Sequence, residues 1–343
     1  MRGPEPTVTA VIPTRRRPEL LRRAIESVLA QTWTKLRVFV SDNASGDTTE
    51  QAVRQIAARD PRVIYHGHPV DIGAYPNFQF GLDAVGTEMF SFLSDDDLLF
   101  PDFYRRAVDA LSREPDAGFY ASQVVLYDVA RGTHRLRPEK HWRAGRHEAG
   151  ESARLMAEQH FIWTGCVFRS SVRGALGAIA PVPMGDILFT AKAAAAFPFV
   201  ADLRPGAVFS EADANYSQML PVETLRRSSQ VARDWAAGIA GLSDADREGM
   251  VGIVDARSRD VAHRILRDAT EAEAFERFLE VADYLEERGD LSPSRRAKIA
   301  FGRPGGWRFR ALSTWSRLQS GYKRRRRSGW KTRTVEEIIA AYS

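Results

Sequence analysis

The first hundred residues alternate short apolar runs with stretches of helical spacing. VTAVIP (8–13) is a β-branched run closed by proline and predicts a strand. Leu20, Leu21, Ala24, Ile25, Val28 and Leu29 then recur at helical spacing, with Pro18 placed where a first helical turn tolerates it. LRVFVS (36–41) predicts a second strand. The turn-rich DNASGDTTE follows it and leads into a helix over 48–58. RVIYH (62–66) predicts a third strand, residues 77–84 a helix, and MFSFL (89–93) a fourth strand. Strands alternating with helices imply a mainly parallel, Rossmann-like sheet covered on both faces. Ligands of such sheets bind beyond the carboxyl ends of the strands. Here those ends carry Pro13-Thr14, Ser41-Asp42-Asn43 and Ser94-Asp95-Asp96-Asp97, so one sheet edge collects the polar groups.

Further along, AGFYASQVVLYDV (117–129) predicts another strand and HWRAGRHEAGESARLM (141–156) a loop entering a helix. From about Pro221 the strand pattern stops. Residues 222–242, 243–269 and 271–290 read as successive amphipathic helices broken by Ser, Asp and Gly. The expected organisation is an α/β domain over 1–220, followed by a helical C-terminal region over 221–343.

Charge sharpens this division. Residues 295–343 hold fourteen Lys or Arg against Glu336 and Glu337, a local +12; the whole chain carries +5, so residues 1–294 carry −7. Phe301, Trp307, Phe309, Trp315, Tyr322 and Trp330 are interleaved with those cations. A solvated basic face, a nucleic-acid surface and an anionic membrane surface all suit such a tail. No nucleic-acid motif accompanies it, and rings among cations best fit the headgroup zone of a membrane. Cys166 is the single cysteine, so no intrachain disulfide can form. The first residues lack the layout of a signal peptide, and no apolar run reaches the roughly 18–20 residues of a spanning helix. The expectation is a cytoplasmic protein, peripheral on the membrane face.

The stretch FSFLSDDDLLFPD (90–102) places three adjacent carboxylates after an apolar run. Carboxylates at a helix start would cap free amides and favour the dipole, which suits one or two acids. A divalent cation held by oxygen ligands and shared with a phosphate accounts for all three, and Mn2+ or Mg2+ matches such ligands.

VTAVIPTRRRPELLRRAIESVLAQTW, LRVFVSDNASGDTTE and DIGAYPNFQFGLDAVGTEMFSFLSDDDLLFPDF resemble, in order and spacing, the inverting family 2 glycosyltransferases of GT-A fold. The likeness is dense over residues 8–103 and thinner to about 217. It implies a nucleotide-binding part over about 1–115 and an acceptor side over about 116–220. It also implies a nucleotide-sugar donor (a UDP-sugar favoured, GDP or TDP also open), a bridging metal, and a glycan or lipid-linked acceptor of the cell envelope. On this resemblance Pro13, Thr14, Arg16, Asp42, Asn77, Asp95 and Asp96 bind the donor, with Arg17 as an alternative to Arg16. Asp95, Asp96 and Asp97 are the metal candidates. A literal DxD selects Asp95 and Asp97, whereas counting back from Pro101 selects Asp96 and leaves Ser94 where the family has its first acid.

FIWTGCVFRSS (161–171) resembles the family's acceptor-side strand. VPMGDILFTAKAAAAF (182–197) matches the family's acidic pair and helix, with Gly185 in place of the first acid and Asp186 as the catalytic base. Ala212 stands where some members carry a histidine. Two other readings stay open: a nucleotidyltransferase acting on sugar phosphates, and a non-catalytic sugar-nucleotide binder or scaffold.

Overall fold

Four parallel strands organise the N-terminal half. In the computed structural model, which describes residues 5–137, 142–150, 153–182, 185–211, 221–239, 242–289, 291–324 and 331–342, these are β1 (Val8–Thr14), β2 (Leu36–Asp42), β3 (Val63–Gly67) and β4 (Met89–Phe92). They lie in the spatial order β4-β1-β2-β3. Helices α1 (Pro18–Leu29), α2 (Thr49–Ala57) and α3 (Ala74–Asp83) make the crossovers. On α1 the buried positions are Leu21, Ala24, Ile25 and Val28. Burying each leucine, isoleucine or valine there is worth about 1.5–3 kcal/mol, which fixes the face turned to the sheet. Thr14 is the register partner of Asp42, so the ends of β1 and β2 lie side by side.

Beyond β4 the sheet turns antiparallel. β9 (Cys166–Arg169) runs antiparallel to both β4 and β6 (Phe119–Asp128), and β7 (Thr133–Leu136) forms a hairpin with β6. The expected mainly parallel sheet therefore holds for the N-terminal half, and the part beyond β4 is mixed. The long strand β10 (Phe199–Glu211) lies parallel to β6 and antiparallel to β5 (Leu98–Leu99) and β8 (Gly145–His147).

No strand is expected at β10 from the sequence pattern, because Asp202, Arg204, Pro205 and Gly206 interrupt its apolar run. The register shifts on both sides of Pro205, where a proline is tolerated. Gly206 is required by close approach, since a Cβ there would lie 2.2 Å from Ser122 Oγ. Asp202 is held at this irregularity by Arg106 and Tyr120, each at 2.8 Å, and by Arg204 at 2.7 Å. Burial alone would raise its pKa; the hydrogen bonds from Arg204 and Tyr120 outweigh that and bring it down to about 2.

Helices α4 (Phe103–Arg113), α5 (Ala153–Glu158), α6 (Ser170–Leu176) and α7 (Gly185–Ala196) complete the α/β part. The C-terminal region consists of α8 (Val222–Ala237), α9 (Asp244–Glu271), α10 (Phe275–Glu287), α11 (Pro293–Gly302) and α12 (Gly306–Arg324). Side chains of Ser243 and Ser292 cap α9 and α11. Leu225, Ile265, Phe278, Leu285 and Phe309 form a separate helical core. The region is nevertheless fused to the α/β part. Ile239 and Met250 belong to the main core, and Val251 and Val254 of α9 pack with Ile187 and Leu188 of α7.

The chain then returns to the sheet. β11 (Lys331–Thr332) pairs with β7, and Val335 and Ile338 of α13 (Val335–Tyr342) pack against Leu98, Phe100, Val125 and Val208. Within the basic, aromatic segment Phe309 is buried, whereas Phe301, Trp307, Trp315 and Leu318 are exposed. The side chains of Tyr322 and of the basic run 323–327, together with Trp330 and Ala212, lie outside the described residues. Among the described residues no helix is long and apolar enough to cross a membrane.

Candidate active site at the strand ends

The acidic triplet follows β4 in a tight turn closed by the Asp97 amide donating to the Ser94 carbonyl at 3.0 Å. The turn splits the three carboxylates. Asp97 faces inward, where Thr164 Oγ1 donates to it at 2.7 Å and the Ser210 amide at 2.8 Å. Asp95 and Asp96 face the end of β1. Thr14 Oγ1 donates to Asp95 at 2.7 Å, while Arg17 Nη1 lies 3.1 Å from Asp95 Oδ1 and 2.9 Å from Asp96 Oδ2. Burial pushes all three pKa values up. For Asp95 the Asp96 charge adds to burial while Arg17 and Thr14 oppose it, and the value lies at about 6. Arg17, two hydroxyls and one amide thus compensate the crowded charges.

Local backbone geometry sets which arginine reaches the acids. Arg16 has φ 55°, a left-handed conformation uncommon for a side chain of its size. Its amide donates to Ser45 Oγ at 2.7 Å and its Nε to the Ser45 carbonyl at 3.0 Å, tying the loop after β1 to the loop after β2. The next residue, Arg17, is thereby the one aimed at Asp95 and Asp96. Pro13 is buried within β1.

At the ends of β2 and β3 lies a hollow of about 450 Å³ lined by Asp42, Ser45, Tyr65, His66 and His68 among others. Asp42 closes the turn after β2 by accepting from the Ser45 amide at 3.0 Å, and its other oxygen accepts from Tyr65 OH at 2.8 Å. Asn77 is buried; it accepts from Ser41 Oγ at 2.6 Å and donates to the Ser41 carbonyl at 2.9 Å, so it braces the strand end. His66 packs at a tilt and His68 edge-on against Phe80, with centroids 4.4 and 4.6 Å away.

Asp186 is half-buried in the first turn of α7. Burial raises its pKa, against which the Ile187 and Asp186 amides and the positive charges of Arg137 and Arg257 act. Phe189, one turn along α7, contacts Phe92 of β4 at 5.9 Å between centroids. The 3-10 turn at Trp163–Gly165, which carries Thr164, also packs against α7. The helix that carries Asp186 in its first turn therefore packs against β4 and the Trp163–Gly165 turn. Gly185 has a steric reason: a Cβ there would meet the Ala180 carbonyl at 2.3 Å and the Tyr75 ring at 3.1 Å.

Thr14 is in direct contact with Asp95, Arg17 joins Asp95 to Asp96, Asp42 is on the neighbouring strand, and Asn77 reaches the edge through Ser41. Sequence reasoning missed Thr164 and Ser210, which are 67 and 113 residues from their partner. Ser210 was hidden with the unexpected β10, and Thr164 gave only a lone hydroxyl inside an apolar run.

Among the described residues no three His, Cys, Asp or Glu side chains converge as metal ligands. Asp95 Oδ1 and Asp96 Oδ2 do converge on one guanidinium nitrogen, hence on a position suited to a cation. A pair of carboxylate oxygens with remaining positions left to phosphate and water is a donor set that fits Mg2+ or Mn2+.

This arrangement has counterparts. Residues 9–176 match Glycosyl transferase family 2. The chain carries a family 2 glycosyltransferase domain. A 95-residue part of it is 35% identical to the GalNAc(5)-diNAcBac-PP-undecaprenol beta-1,3-glucosyltransferase of Campylobacter jejuni, covering 27% of this chain and 31% of that protein. A 133-residue part is 29% identical to protein CgeD of Bacillus subtilis, covering 36% and 31% respectively. The matched stretch thus spans about a third of each curated relative. Over nearly its whole length the chain superposes on S. aureus TarS 1-349 in complex with UDP-GlcNAc, with TM-score 0.60, 14% identity, and 91% and 92% of the two chains covered. At that identity the likeness is one of fold, and it is the GT-A fold expected from the sequence.

Proposed function

We propose that this chain transfers a sugar, with inversion, from a nucleoside-diphosphate sugar to a hydroxyl of a glycan or lipid-linked acceptor. The observation that carries the reading is the convergence of Thr14, Arg17, Asp95 and Asp96 beside the Asp42 hollow, with the Asp186-bearing α7 packed against β4. The hollow takes the nucleoside, with Asp42 and Tyr65 as its polar groups. A UDP-sugar is the favoured donor, in keeping with the UDP-GlcNAc carried by the TarS structure of similar fold. The undecaprenol-linked substrate in the name of the Campylobacter relative favours an acceptor of cell-envelope type.

Asp95 and Asp96 would hold Mn2+ or Mg2+, which when bound neutralises the departing diphosphate. Arg17 adds a second positive charge next to that diphosphate. Asp186 takes the proton of the acceptor hydroxyl as its oxygen bonds to the anomeric carbon. The bond from that carbon to the phosphate oxygen breaks, and the nucleoside diphosphate leaves with the electron pair. Asp97 has a supporting part, anchoring the triplet to Thr164 and Ser210. The exposed Phe301, Trp307 and Leu318 among the cations of α11 and α12 support attachment to the cytoplasmic face of an anionic membrane.

The test is turnover of UDP-sugars with product identification. Release of UDP supports sugar transfer, whereas release of pyrophosphate would indicate nucleotidyl transfer. Asp186→Asn is expected to lower kcat by about 10²–10⁴ while leaving UDP affinity intact. Donor binding without any turnover by the wild-type chain would leave a non-catalytic binder.

A further inference from the structure

A second concave site lies away from the triplet. Between α9, α11 and α12 is a cleft of about 730 Å³, and Arg131 from the β6–β7 turn closes one side of it. Its lining includes Arg257, Arg264, Arg267, Arg295 and Lys298 as well as Arg131, against Asp260 as the one carboxylate among the described lining residues. Arg131 is paired with Asp128 and Arg267 with Asp268. Among the described residues Arg257, Arg264 and Arg295 form no salt bridge. Lys298 Nζ sits 4.0 Å from the centroid of the Trp315 ring, which gives the cleft an aromatic wall.

Six cations converging on a concavity repel one another and cost folding energy. A low-dielectric cleft of one sign also focuses its field outward into the opening. Such a site is suited to a multiply charged anion, and planar guanidinium groups match the paired oxygens of phosphate. The cleft is also joined to the candidate active site. The first half of α9 packs on α7 through Val251 and Val254, and Arg257, one turn further on, lines the cleft. The Arg257 charge is felt at both Asp186 and His160. The cleft thus lies along α9, the helix whose first half packs on the Asp186-bearing α7.

We propose that this cleft binds the phosphate groups of the acceptor, holding a phosphate-bearing chain so that its hydroxyl reaches Asp186. The inference rests on the glycosyl-transfer reading above and names its acceptor class. The phosphates could be the phosphodiesters of a soluble polymer or the headgroup of a membrane lipid, and the two sources share one recognition chemistry.

The test uses the full chain and the double variant Arg264→Glu/Arg295→Glu, two exposed positions remote from the triplet. Short-chain inorganic polyphosphate is titrated in EDTA, which removes any metal-bridged binding at Asp95 and Asp96. Phosphatidylglycerol vesicles form the second arm. Wild-type chain is expected to bind polyphosphate with an affinity that falls steeply with salt, and the variant about tenfold more weakly. An equal thermal midpoint and UDP affinity in the two proteins shows that the variant is folded. Loss confined to polyphosphate assigns a soluble phosphodiester polymer, and loss on vesicles assigns a membrane-borne phosphate. Equal binding by variant and wild type in both arms, or no binding in either, overturns the proposal. Failure of the glycosyl-transfer reading would show separately, as wild-type chain that neither binds UDP nor turns over a UDP-sugar.

Discussion

Thr164 Oγ1 donates a 2.7 Å hydrogen bond to Asp97, joining the acceptor-side turn to the acidic triplet. Asp97 is fully buried, so this bond and the Ser210 amide are what make its carboxyl tolerable there. Thr164→Val keeps the shape and removes the donor. It is expected to destabilise the fold by about 1–3 kcal/mol in urea unfolding, the cost of an under-satisfied buried polar group. An unchanged unfolding midpoint would contradict the bracing role of this pair.

On the proposed reading, Arg17 and a divalent cation would compete for the same oxygens of Asp95 and Asp96. Removing the guanidinium in Arg17→Ala is expected to tighten Mn2+ binding several-fold in the absence of donor, read by electron paramagnetic resonance of the free ion. The same variant should bind UDP in the presence of Mn2+ more weakly, because a positive charge beside the diphosphate is gone. Unaltered Mn2+ binding would mean that the metal, if held, lies elsewhere.

Asp186 supplies a pH signature. Its pKa is raised, so a rate requiring the carboxylate should fall on the acid side with a midpoint above the ordinary aspartate value of about 4. The Arg257 charge lowers that pKa. Arg257→Ala should accordingly move the acid limb of kcat/KM to higher pH, and a limb that stays fixed or moves down would detach Arg257 from Asp186.

Asp202 has the opposite shift, down to about 2. A carboxylate depressed in the folded state contributes stability that is complete above its unfolded pKa of about 3.9 and is lost as pH falls toward 2. Asp202→Asn should be less stable than wild type at pH 7. The gap should narrow between about pH 4 and pH 2, as followed by thermal unfolding across that range.

The proposed membrane attachment can be tested apart from catalysis. Trp307 is 68% exposed and Phe301 41% exposed, with rings 6.1 Å apart. Phe301→Ser/Trp307→Ser should reduce cosedimentation with anionic vesicles while leaving the thermal midpoint near that of wild type. Equal cosedimentation would leave those rings without a part in membrane binding.

The N-terminal half was legible because its signals are local. Apolar runs of strand length, proline at the start of α1 and turn residues after β2 each act within a few positions. The strand ends therefore fell on the right residues, and Thr14, Asp95 and Asp96 could be grouped from topology alone. The acceptor half was less readable. The 13-residue β10 is specified by Ser122, Phe103 and β6 more than by its own pattern, and its irregularity at Pro205 hides its period. The switch from Arg16 to Arg17 depends on a left-handed φ that the run TRRRPE does not announce. The basic tail was legible as composition; that its aromatics divide between a core at Phe309 and a surface at Trp307 depends on α9 and α10, which lie before it in the chain.

The helix at 335–342 lies beneath the two-residue strand that begins one position after Asp97. During synthesis, everything from the first strand to the acidic turn emerges long before that prop exists. A nascent chain halted at residue 320 would hold every donor-side carboxylate yet lack the apolar floor under them. Such an intermediate should bind nucleotide poorly, and competence should arrive only once residues 335–342 have emerged.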